Sequence, residues 1–180
     1  MRTRTWVLMG ILTIPFLQFG GCLQQLRVPV EFALGGGLGI FAVEAGVPTQ
    51  NRGTGSIGDA PVDPGSGSIN IKPENVSVTP ANNGSGKGTV NYQGGTLTIT
   101  AWIAALDELE TVCETGEEYG PFSVELNEAN QPVSVEPSDI TLSQNTIDLI
   151  NGGQFSLCIE VISPIDGTVT IDALSFDLGL

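Results

Sequence analysis

Thr-Val-Asn-Tyr-Gln-Gly-Gly-Thr-Leu-Thr-Ile-Thr-Ala-Trp-Ile, residues 89–103, decides how the rest of this chain is read. After Gly94-Gly95 the alternation is strict. Leu97, Ile99, Ala101 and Ile103 share one face, and Thr96, Thr98 and Thr100 share the other. Successive side chains of a strand point to opposite faces, so this period of two predicts a half-buried β-strand. Paired glycines supply the positive φ of a two-residue turn. Residues 89–93 and 96–103 are therefore expected to form a hairpin.

The same period recurs on the C-terminal side at Phe122, Val124 and Leu126, at Val133 and Val135, and at Phe155, Leu157, Ile159 and Val161. It returns at Val169, Ile171 and Ala173, then slips by one to Leu174, Phe176 and Leu178. A one-residue slip would turn a flat strand over, so a bulge or bend is expected there. Ile69, Ile71, Val76 and Val78 start the series on the N-terminal side. Many short strands separated by turn residues predict an all-β fold. The expected form is an antiparallel β-sandwich, immunoglobulin-like or jelly-roll-like. One stretch, residues 101–110 (AWIAALDELE), also has helical spacing. Asp107, Glu108 and Glu110 would crowd the negative end of such a helix. A strand running into an acidic loop is the reading adopted, with a short helix as the alternative.

Upstream the composition changes. Residues 44–68 are rich in Gly, Pro, Ser and Asp, a composition that buries little apolar surface. Residues 23–43 are apolar but broken by Gly35-Gly36-Gly37 and Gly39. They read either as early strands or as a spacer. The expected organisation is a leader over residues 1–22, a linker segment over 23–67 and a sandwich domain over 68–180.

The leader carries Arg2 and Arg4, then no charged residue from Trp6 to Phe19. A positive start followed by a short apolar run is the pattern of an export signal, and the run is too short for a comfortable membrane span. It ends in Phe19-Gly20-Gly21-Cys22. That ending resembles the lipobox of bacterial lipoproteins, with Phe19 where leucine is usual. The resemblance covers the leader alone. It implies lipid on Cys22, a new N-terminus there, and a membrane partner reached through that lipid. The expected location is the cell envelope, or the exterior if the lipid is absent.

Removal of the leader leaves four basic residues against 20 acidic ones, a net charge of −16. Such a surface repels nucleic acid, which is excluded as a partner. With Cys22 assigned to lipid, Cys113 and Cys158 remain as an even pair, expected to form a disulfide in an oxidising compartment. Closing that loop would stabilise by about 4 kcal/mol in the chain-entropy model. Alternation places Cys158 with Ser156 and Glu160, opposite Phe155, Leu157 and Ile159. The bridge is therefore expected on the outer, polar face of a sheet.

Asp107, Glu108, Glu110, Glu114, Glu117 and Glu118 put six carboxylates within twelve residues. Hard oxygen ligands suit calcium, although the spacing is not that of an EF-hand loop. A solvated acidic loop is the plainer reading. Trp102 falls on the face of Thr98 and Thr100, where an aromatic among hydroxyls suits stacking on a sugar ring. The chain has no histidine, which removes every His-dependent triad. No phosphate loop or nucleophile elbow is present. The expected function is a non-catalytic structural or adhesion module at the cell surface, with no cofactor. The alternatives are a glycan- or calcium-dependent binding module and, remotely, a glycosidase using paired carboxylates.

Overall fold

A computed structural model describes residues 28–56, 68–81, 94–133, 135 and 140–179. In chain order the strands are β1 (Val28–Ala33), β2 (Ile40–Val43), β3 (Pro48–Gly55), β4 (Ser68–Glu74), β5 (Ser77–Pro80) and β6 (Gly95–Ala104). A short 3-10 turn, Leu106–Glu108, and the single-turn helix α1 (Val112–Thr115) follow. Then come β7 (Glu117–Leu126), α2 (Gln144–Asn151), β8 (Phe155–Ile162), β9 (Gly167–Thr170) and β10 (Ala173–Gly179). Every pairing between these strands is antiparallel.

One layer is a four-stranded sheet in the order β3-β8-β6-β7. The other consists of two three-stranded sheets, β1-β10-β4 and β2-β9-β5. These two are built from the same three runs of chain, because β1 leads into β2, β4 into β5 and β9 into β10. Hydrogen bonds cross the break between them: Leu34 N–H donates to Asp172 O (3.1 Å), Ile171 N–H to Gly39 O (2.8 Å) and Asp172 N–H to Glu74 O (3.3 Å). At this level Asn75 takes a left-handed φ of 52°. Gly39 packs so closely that a Cβ would strike the Ile171 carbonyl oxygen. The break explains the slipped alternation. Val169 and Ile171 on one side of it, and Leu174 and Phe176 on the other, all enter one core. The slip keeps the apolar set inward while the strand changes sheet.

That core fills the space between the layers. Leu97, Ile99, Phe122, Leu157 and Ile159 from the four-stranded sheet meet Phe41, Ile69, Ile71, Val78 and Phe176 from the other layer. At roughly 1.5–3 kcal/mol per fully buried large apolar side chain, this burial is the main force holding the sandwich closed. The sheets do not close into a barrel.

Two expectations are corrected. Within the linker expected over 23–67, residues 28–33 and 40–43 form strands, as the early-strand alternative had it, and 48–55 form a third, since β1 pairs with β10, β2 with β9 and β3 with β8, while 23–27 and 57–67 lie outside the described residues. The sandwich therefore does not start at Ser68. The hairpin expected at Gly94-Gly95 is described only in its second arm, which is β6. From Thr98 to Ile103 both edges of β6 are occupied, by β7 and by β8. Its expected first arm, 89–93, lies outside the described residues. The strand expected at Val133 and Val135 reduces to a single bridge from Val133 to Val76. The leader, with Cys22, also lies outside the described residues. No helix among the described residues is long and apolar enough to cross a membrane.

Candidate functional site

The outer face of the four-stranded sheet gathers most of the residues singled out by sequence. The register sets Arg52 beside Cys158, Cys158 beside Trp102, and Trp102 beside Glu118. One step along, Gln50 lies beside Glu160 and Glu160 beside Thr100. A further step brings Pro48, Ile162, Thr98 and Ser123 into a row. The bulge at Gly120-Pro121, where two residues of β7 oppose Thr100, interrupts the middle row at its edge.

Half of this face is covered. Cys113 and Cys158 are joined as a disulfide, with Cα atoms 5.3 Å apart. The bridge draws α1 down onto the sheet, and Ala104, Val112, Cys113 and Cys158 form a second small apolar cluster against which Trp102 packs. Cys158 is therefore on the expected face, but that face is not open and polar around it, since Cys158 is fully buried. Arg52 reinforces the cover. Its Nε donates to Cys113 Sγ (3.0 Å) and its Nη1 to Glu110 O (2.6 Å). Ser156 Oγ donates to Leu106 O (3.1 Å).

The six carboxylates separate along this cover. Asp107 and Glu108 lie in the 3-10 turn, Glu110 in the turn after it, Glu114 in α1, and Glu117 and Glu118 at the start of β7. Among the described residues no group of three or more potential ligands is placed to hold one metal ion. Glu117 is committed elsewhere. Its Oε2 accepts hydrogen bonds from Ser143 Oγ (2.6 Å) and Thr146 Oγ1 (2.9 Å). Tyr119 OH donates to Thr146 Oγ1 (2.8 Å) and accepts from Ser143 N–H (3.4 Å). Ser143 also caps α2, its Oγ accepting from Thr146 N–H (3.2 Å).

Burial acts to raise the Glu117 pKa, but the hydrogen bonds from Ser143 and Thr146, with Tyr119 OH beside them, outweigh it and hold the carboxyl below its usual value. Burial raises that of Tyr119, aided by the nearby Glu117 charge and opposed by its hydrogen bonds. The negative carboxylate also lies close to the positive end of α2. A cleft of about 300 Å³ beside this network is lined by Ala104, Glu108, Thr115, Glu117, Asn145 and Leu149. Two side-chain donors, Ser143 and Thr146, both occupy one carboxylate oxygen of Glu117. Its chemistry is that of a fixed acceptor that docks α2 on the sheet.

Sequence reading missed this network because its parts come from residues 117–119 and 143–146, which no local spacing links. It also missed Arg52 as the clasp on the cover, since β3 reads as linker. The serine capping α2 was the available signal for the first; nothing local marks the second. Comparison of the chain with protein-family models, with curated proteins and with solved structures finds no match.

Proposed function

We propose that this chain is a non-catalytic exported protein of the bacterial cell envelope, held at a membrane by lipid on Cys22. In this reading its β-sandwich serves as a structural or adhesion module. The observation that supports it best is the pairing of Cys113 with Cys158. Such bridges persist in oxidising compartments outside the cytoplasm, and the pairing leaves Cys22 as the one remaining cysteine, next to an export-type leader. The strong negative charge supports partners other than nucleic acid.

Labelling producing cells with a lipid precursor tests the anchor. The native chain should take up label and fractionate with membranes. Cys22→Ser should do neither while still being exported. Equal labelling of both, or retention of both in the cytoplasm, would overturn the proposal.

A further inference from the structure

The half of the outer sheet face left uncovered by the 106–115 segment sets an aromatic ring beside a row of hydroxyl, amide and carboxylate side chains. Part of the Trp102 indole stays exposed, and its other flank is packed on the disulfide cluster. A ring fixed in this way loses little freedom when something stacks on it. Beyond it lie Thr100 and Thr98 on β6, Glu160 on β8 and Gln50 on β3. Gln50 Nε2 donates to Glu160 Oε2 at 2.8 Å, which orients the pair and leaves the second carboxylate oxygen able to accept. No hydrogen bond within the described residues engages the Trp102 indole N–H or the hydroxyls of Thr98 and Thr100. From Trp102 to Thr98 the strand offers about 13 Å of partly exposed face.

We propose that this shelf, Trp102 with Thr98, Thr100, Glu160 and Gln50, binds a neutral polysaccharide chain. It deepens the adhesion reading by naming what is held, and it rests on that reading only for its biological setting. A sugar ring carries an apolar C–H face and a rim of hydroxyls. The indole matches the first, and the fixed donors and acceptors match the second. Charge selects the class of glycan. Both described basic side chains of the sandwich are committed internally, Arg52 to the cover and Lys72 to Glu74 at 3.0 Å. Around the shelf, acidic groups such as Glu118 and Glu160 repel sulfated or carboxylated chains and leave neutral ones unopposed.

The experiment uses the full-length chain in detergent with Trp6→Phe, so that Trp102 is the only tryptophan and its fluorescence reports on the shelf alone. Cellulose, chitin, starch, xylan and mannan serve as probes, with heparin as the anionic control. At least one neutral polymer should bind, shift the Trp102 emission and compete with its own soluble oligosaccharide. Trp102→Ala should weaken that binding at least about tenfold, as an aromatic anchor does. Because Trp102 also supports the cluster under the cover, the double variant Gln50→Ala/Glu160→Gln, which leaves that cluster intact, should weaken it several-fold too. No binding across the panel, binding to heparin, or unchanged affinity in the double variant would overturn the shelf. None of these readouts depends on export or on Cys22, so the anchor and the shelf fail separately.

Discussion

The four-stranded sheet is fully buried on its inner face and only partly covered on its outer one, by different means. Its inner face meets another layer across a broad core, in which Phe155, Leu157, Ile159 and Val161 are all fully buried. Its outer face is covered over only half its extent, by a dozen residues whose apolar contribution is little more than Val112 and Cys113. Area alone holds the first contact. The second has too little area to hold itself and relies on one covalent bond and the Arg52 clasp. Large cooperative packing and small pinned packing should therefore respond to different insults.

The largest effect should come from the inner face. Phe155→Ala is expected to cost about 3–5 kcal/mol in urea unfolding, lowering the midpoint for the whole sandwich in one transition. Removing the bridge with Cys113→Ala/Cys158→Ala should cost no more than about 4 kcal/mol. Its signature should be local: amide exchange should rise first in residues 106–115 while β6 and β8 stay protected. If both variants lose protection everywhere at once, the two contacts are one cooperative unit and the contrast fails.

Glu117 offers a subtler probe, because it ties α2 to the rim of the same sheet. Its folded pKa lies below the ordinary 4.5. Its contribution to stability is therefore complete above about pH 4.5 and is lost as pH falls through the lowered folded value. Glu117→Gln should cost about 1.5–3 kcal/mol at neutral pH, the range of hydrogen bonds to a charged group. It should also flatten the acid limb of the melting curve, and parallel pH profiles for the two proteins would contradict the assignment. Arg52→Ala should cost about 1 kcal/mol, again read as faster exchange over residues 106–115. Smallest of all, calcium should leave the melting temperature unmoved, because the carboxylates of the cover do not converge.

Strands β6 to β10 were legible because each carries its own alternation, and the slip after Ala173 marked the change of sheet. Strand β3 was not. Its inward positions are Thr49, Asn51, Gly53 and Gly55, where Asn51 Nδ2 bonds the Ile40 carbonyl (2.8 Å) and Gly55 leaves room for the Phe155 ring. A strand of that kind, at the seam between the two layers, has no apolar period to read. Its identity comes from β8, a hundred or more residues away. The site divides in the same way. The disulfide and the face of Trp102 followed from counting and parity, whereas the cover and the Glu117 network needed contacts between distant segments.

The position of β1 sets how far this module could extend. Only five residues separate Cys22 from Val28. Fully extended, that span reaches about 20 Å. A lipid on Cys22 would thus hold the Val28 end of the sandwich close against the bilayer, with no stalk to lift it. The strand then runs away from that surface into β2, so the tip formed by Val43, Pro80 and Gly167 would stand outermost. The shelf lies on the flank of the sandwich between the Val28 end and that tip, so a polymer would reach it from the side.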